Sequence, residues 1–264
     1  MMSYLIYFVV GILAGVVGGL LGTGGCALMM PVIRFGFHFD PALAVGTTLT
    51  AVVFTAGSGA FQHIRMGNVD KRTAWITGAS GVLGVIIGSI VFTYVMPYGE
   101  LIDLIIGCAF LLVTLRMLYE GGQGLLGKNP LPQPVAGEGM PGTALQKGTL
   151  GAAIGTLTGI VGLGGGYALV PSFIYFFRAP VKLAIGTSMA SFVWMALVGA
   201  AFKFYQNVVN IPVAVTLGVG ALIGAIYGAK LVAKFKPAAL KFLFGLLFLY
   251  VSLKYIFIYF GIAI

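Results

Sequence analysis

Residues 22–31 read GTGGCALMMP and residues 162–171 read GLGGGYALVP, a glycine cluster followed by a proline, written twice at an interval of 140 positions. Glycine frees the backbone and proline removes an amide donor, so each cluster predicts a helix that unwinds, near 22–25 and 162–166. The amides of such a break, with the positive dipole end of the helix that restarts, suit an anion. The residues nominated for binding are Gly24, Gly25 and Cys26 in the first copy and Gly164, Gly165 and Gly166 in the second. Hydroxyls follow each cluster. Thr47 and Thr48 (AVGTT, 44–48) and Thr187 and Ser188 (AIGTS, 184–188) could donate to an oxyanion without a fixed countercharge, although such hydroxyls often bond back to their own helix. His63 and Lys203 are ionisable groups near the ends of apolar segments and are candidates for coupling or a gate. The competing reading is that Lys203, like Arg65 and Lys254, snorkels to water and that His63 is a surface group.

The elements that must hold these residues follow from composition. Of 264 residues, 59% are hydrophobic and 8% charged, with a mean hydropathy of +1.07. That much apolar surface does not fit inside one water-soluble core, so the chain is read as an integral membrane protein. Apolar segments cover 3–21, 41–63, 74–96, 101–119, 146–163, 183–202, 211–233 and 238–262, and shorter ones, 26–37 and 166–177, follow the glycine clusters. Lacking the alternation of a barrel strand, they predict helices. The N-terminal run has no basic region ahead of it and is too long for a signal-peptide core, so it is read as a span. Cys26 and Cys108 both lie in apolar sequence and are read as small packing residues. Trp75, Tyr94, Tyr98 and Tyr119 fit an interfacial aromatic belt.

The chain repeats itself. Residues 120–147 are rich in Gly and Pro and read as an exposed linker between two homologous halves, 1–119 and 148–264. At the constant offset, Gly11 pairs with Gly151, Gly46 with Gly186, Gly84 with Gly224, Pro31 with Pro171 and Thr47 with Thr187, with no gap. The GILAG (11–15), GVIIG (84–88) and GAIYG (224–228) motifs suit close helix packing. If the stretch after each cluster completes a crossing, the halves are inverted, and twelve of the 15 basic residues share one side. Only Arg34, Lys203 and Lys254 remain opposite. That asymmetry favours an inverted repeat of 5+5 segments, eight long spans plus two short or broken ones, with a cytoplasmic linker and both termini outside. The alternative, parallel halves of four spans, divides the basic residues evenly. A 12-residue helix covers only about 18 Å of a roughly 30 Å core, so each short segment must start from a break deep in the membrane.

Paired, interrupted helices in two halves mark the substrate site of secondary transporters. The GTGGCALMMP and GLGGGYALVP motifs, each followed by an AxGT element, resemble the sulfite exporter TauE/SafE family over nearly the whole chain. The resemblance implies a bacterial or archaeal inner-membrane transporter for small sulfur-containing anions: sulfite, sulfoacetate or other organosulfonates. It implies alternating access, with proton coupling as an option. Cys26 departs from the triple glycine kept at Gly166, which questions equal roles for the two halves. An anion channel for similar ions is the alternative. An enzyme is not expected, because two histidines and no convergent carboxylates supply neither an acid–base pair nor a metal site, and Asp103 alone lies well inside a span. No cofactor is expected. The expected partners are the anion, the bilayer and a second copy in a homodimer, without nucleic acid, since topology already explains the basic face.

Overall fold

The computed structural model describes residues 2–127, 139–162 and 165–260. Among these, ten α-helices follow in order: α1 (Met2–Leu21), α2 (Cys26–Pro31), α3 (Pro41–Arg65), α4 (Lys71–Val95), α5 (Gly99–Leu125), α6 (Ala144–Val161), α7 (Gly166–Tyr175), α8 (Val181–Tyr205), α9 (Ile211–Leu231) and α10 (Pro237–Tyr259). In lipid every backbone amide must find its partner within the chain, and a helix achieves this locally. Polar caps start several of them. Asp70 accepts from Thr73 N at the head of α4, Asn210 from Val213 N at the head of α9, and Thr143 forms a capping box with Gln146 at α6.

Among the described residues six helices are long and apolar enough to cross a membrane: Ser3–Leu21, Pro41–Arg65, Lys71–Val95, Val181–Tyr205, Ile211–Lys234 and Ala238–Phe257. The protein is therefore an all-helical, multi-pass membrane protein. The sequence expectation was eight long spans; the remaining two correspond to α5 and α6, which run for 27 and 18 residues. Helix also extends into the expected linker, because α5 continues through Leu125 and α6 begins at Ala144. Glu120 explains the first extension, as its carboxylate accepts from Lys241 of α10 at 2.7 Å. Residues 128–138 of that segment lie outside the described ones.

Helix α2 passes into a π-helical turn, Val32–Gly36, directly after Pro31. Proline cannot donate to the ladder, and the ladder slips by one residue there: Phe37 N bonds Val32 O. Both prolines thus lie inside the short helices.

Glycine sets the helix pairing. Successive glycines of α1 (Gly11, Gly15, Gly19) face the backbone of Leu217, Ala221 and Ala225 on α9 so closely that a Cβ would collide. The residue numbers rise together, so α1 and α9 run parallel. The same device pairs α4 with α6 in parallel: Gly84 faces Ala152 and Gly88 faces Thr156. Two pairs run antiparallel. Gly46, early in α3, abuts Val208 after α8, and Gly186, early in α8, abuts Asn68 after α3. In α5 and α10, Gly107 faces Ile256 while Gly121 faces Phe242. Helices α3 and α8 form the centre, with 61% of each spanning window buried against 44–50% for the other spans. Apolar side chains such as Leu5, Leu13, Leu83 and Ile87 point outward with Trp75, Tyr94, Tyr98 and Tyr119, a surface suited to lipid and its interface.

Candidate functional site

The two helix breaks meet at the centre. Gly22 (φ 75°) ends α1 and Gly162 (φ 67°) ends α6, each in the left-handed conformation that closes a helix, with its N–H bonded 2.8 Å to the carbonyl of Gly18 or Thr158. Gly22 packs on Ile185 and Gly162 on Val45, residues themselves 140 apart. Gly166 sits on the backbone of Gly22 and Thr23, so a side chain there has no space. Cys26, its counterpart, has room for a thiol, which donates to Thr23 O at 3.1 Å. The two breaks also differ in backbone: Gly25 has φ 79° and Gly165 φ −61°. The buried ring of Phe192 lies against both Gly24 and Gly165. Ser188 Oγ donates to Gly22 O at 3.2 Å, tying α8 to the first break. Gly164 lies outside the described residues.

The other nominated hydroxyls have partners outside the glycine clusters. Thr48 Oγ1 lies 3.7 Å from the sulfur of Met30. Thr47 Oγ1 accepts from the backbone N–H of Asn210 at 3.0 Å, and Thr187 Oγ1 from that of Asp70 at 2.9 Å. These are two copies of one latch. Each fastens the start of a central helix to the loop that ends the other central helix. Thr47, Thr48, Thr187 and Ser188 are all fully buried.

Lys203 does not snorkel and His63 is not a surface group, for both are fully buried. His63 Nε2 lies 3.0 Å from Gly19 O, and Lys203 Nζ donates to Gly159 O at 2.8 Å and lies 3.1 Å from the centre of the Phe92 ring. Gly19 and Gly159 sit in the last turns of the interrupted helices, where carbonyls lose their intrahelical partners. A side-chain donor there caps the exposed carbonyl and favours the negative end of the dipole. The offset of 140 already relates His63 to Lys203, Gly19 to Gly159 and Asp70 to Asn210. Applied to polar residues as well as glycines, it would have marked all three pairs in advance.

Around the Thr187 latch lies a polar knot. Asp70 accepts from Thr73 N at 3.0 Å, Thr73 Oγ1 at 2.7 Å and Met140 N at 2.7 Å; Lys147 Nζ donates to Thr73 Oγ1 and Met140 O, both at 2.7 Å. Burial pushes the Asp70 carboxyl up, but the bonds from Met140 and Thr73 and the nearby Lys147 ammonium outweigh it, and the group is held below its ordinary value.

Three cavities lie among the described residues. A cavity of about 570 Å³ lies beside Gln146, Leu150 and Phe177, one of about 310 Å³ runs between α2 and α10, and one of about 240 Å³ adjoins Asp70 and Lys147. At the breaks, backbone is packed on backbone and each break is braced from the opposite half. Cys108, read as a packing residue, is exposed on α5.

Residues 7–255 match the family model described as sulfite exporter TauE/SafE. A relative from Bacillus subtilis named "Probable membrane transporter protein YunE" is 27% identical over 97% of this chain and 98% of its own length. One from Xylella fastidiosa (strain Temecula1), named "Probable membrane transporter protein", is 27% identical over 92% of this chain and 91% of its own. A transporter-named relative from Methanocaldococcus jannaschii is 25% identical over 88% of both chains. No solved structure matches.

Proposed function

This chain belongs to the sulfite exporter TauE/SafE family, and from that premise we propose that it is a secondary transporter that carries small sulfur-containing anions, sulfite, sulfoacetate or other organosulfonates, across the inner membrane by alternating access. The observation that carries this reading is the contact between the two helix breaks, Gly166 on Gly22–Thr23 with Phe192 against Gly24 and Gly165. Two interrupted helices meeting at one point give a carrier its substrate site. The anion enters when the halves part there. It is then held by backbone amides of Gly24, Gly25, Cys26 and Gly164 to Gly166 and by the hydroxyls of Thr48 and Ser188. Thr47 and Thr187 act as latches on opposite faces, and His63 and Lys203 as caps that hold the broken helix ends through the cycle.

The inverted 5+5 arrangement, with α5 and α6 also spanning, is supported by helix direction. Exchanging the halves carries α3 onto α8 and α5 onto α10, and each of these pairs is antiparallel. The axis of that exchange then lies across the helices, in the membrane plane, whereas parallel halves would make both pairs parallel. The charge asymmetry agrees with this and orients the linker to the cytoplasm and both termini outward. The closely packed centre suits a carrier in an occluded state better than a channel, and the chain is read as a carrier rather than an enzyme.

Counterflow tests the reading. Proteoliposomes preloaded with unlabelled sulfite or sulfoacetate and given trace labelled anion are expected to accumulate label transiently above equilibrium. Equilibration without overshoot would indicate a channel, and absence of flux with every sulfur anion would remove the substrate class.

A further inference from the structure

Arg34 sits in the π-turn after Pro31 and reaches α5: its Nη2 donates to Asp103 Oδ2 at 3.0 Å and its Nη1 to the carbonyl of Phe39 at 3.0 Å. The Asp103 side chain is 2% exposed and that of Arg34 23%. A carboxylate offers about four acceptor sites, yet Asp103 Oδ1 is buried with no partner among the described residues. Arg34 Nε is in the same position, and so is the hydroxyl of Tyr255, whose ring lies 5.0 Å from that of Phe35. A buried ion pair needs its remaining donors and acceptors satisfied to offset desolvation, so an orphaned atom on each partner makes the pair poised to exchange partners rather than to serve as a tether.

Beside it lies the cavity of about 310 Å³ between α2 and α10, with Ala27, Pro31, Phe35, Leu247, Tyr250 and Lys254 in its wall. The Phe35 ring carries a cation on two approaches, the Arg34 guanidinium at 5.5 Å and the Lys254 ammonium at 5.1 Å. Lys254 thus lines a space roomy enough for a small oxyanion, and Arg34, restrained by Asp103, lies against the Phe35 ring of its wall. The titratable groups on the surrounding elements come from several helices. Tyr255, Lys254 and Tyr250 come from α10 and Glu100 from α5 itself; Asp40 precedes α3 beside the Pro41–Gly99 contact. The far ends of α3 and α4 carry His63, Arg65, Lys71 and Arg72, Tyr94 lies near the end of α4, α2 carries Cys26, and α6 and α7 bring Lys147, Tyr167 and Tyr175.

We propose that the Arg34–Asp103 pair is a charge-exchange site: a small monovalent oxyanion in the α2–α10 cavity draws Arg34 off Asp103, and Asp103 takes up one proton. One ion pair breaks and another forms between guanidinium and oxyanion. The proton comes from water in the cavity and binds a carboxylate oxygen of Asp103, while Arg34 stays protonated throughout. Empty and loaded clusters carry the same net charge, so anion and proton travel together. This rests on the transport of sulfur anions proposed above and names the proton carrier for it.

The test uses the purified full chain in proteoliposomes with labelled sulfite. Asp103→Asn is expected to keep counterflow at the wild-type level and to lose accumulation driven by an imposed pH gradient, down to that of protein-free liposomes. Accumulation by Asp103→Asn equal to wild type overturns the proposal, and so does parallel loss of both modes in a variant that remains monodisperse, since that marks a structural tether. Absence of flux in the wild type overturns both the sulfur-anion reading and the exchange built on it. Should Asp103→Asn not fold, the wild type carries the test alone. The wild type gives an independent readout: sulfite added to weakly buffered protein should draw protons from solution, and no uptake overturns the proposal.

Discussion

Gly166 and Cys26 occupy equivalent places in the repeat and tolerate opposite things. The backbone of Gly22 and Thr23 fills the volume into which a Gly166 side chain would project, while the Cys26 thiol has space and a carbonyl to bond. Gly166→Ala is therefore expected to destabilise by roughly 1–3 kcal/mol through overpacking and to abolish counterflow. Cys26→Ala should cost no more than about 0.5–1.5 kcal/mol, the worth of one hydrogen bond. Thermal unfolding in detergent, read beside counterflow, checks both; equal effects would mean that the two breaks do not pack as described. Sequence singled out both residues, and even their inequality, but not its cause. A glycine cluster says that the chain can bend there and nothing about what lies across the bend. His63 and Lys203 show the same limit. An ionisable group near a span end reads as interfacial until an interrupted neighbouring helix offers it an uncapped carbonyl, as Gly19 and Gly159 do.

At the scale of elements, direction is the informative property. The equivalent exposed residues Arg65 and Tyr205 end α3 and α8, which run antiparallel. Single cysteines placed there, in a chain whose Cys26 and Cys108 are replaced, are expected to react with a membrane-impermeant maleimide from opposite sides of the vesicle. Reaction from one side would return the halves to a parallel arrangement. The short elements explain why length alone misleads. Helix α2 has six residues and α7 ten, too few to span about 30 Å, yet each resumes directly after a break in the core rather than at a surface. The π-turn that follows Pro31 has no counterpart after Pro171, and it carries the Arg34 that bonds Asp103 of α5, a consequence invisible in hydropathy.

For the molecule as a whole, the polar knot at Asp70 joins the head of α4, the Thr187 latch, Met140 and Lys147. Stability from a carboxylate held below its ordinary value of 3.8 is fully present above that value and is lost as pH falls through the lower, folded one. The wild-type unfolding temperature should therefore drop on acidification below about 4, and Asp70→Asn should lower it at neutral pH while flattening that acid dependence. An unchanged acid profile in Asp70→Asn would remove Asp70 from the account. The knot lies on one face only, because Asn210 holds the equivalent place without a charge.

Composition by itself determined that this protein lives in a bilayer, since apolar area on that scale has no other solvent, and the interval of 140 residues determined that it is built twice. The glycine clusters fixed where α1 ends and α2 begins, because backbone freedom is a local property of residue type. What only the tertiary structure decided are the matters that depend on which surfaces meet: that the breaks abut, that Thr47 and Thr187 spend their hydroxyl oxygens on loops 163 and 117 residues away, and that Asp103 finds Arg34 across 69 residues. One chain's pattern records what each residue can do. Burial against a distant partner decides which of those capacities is used.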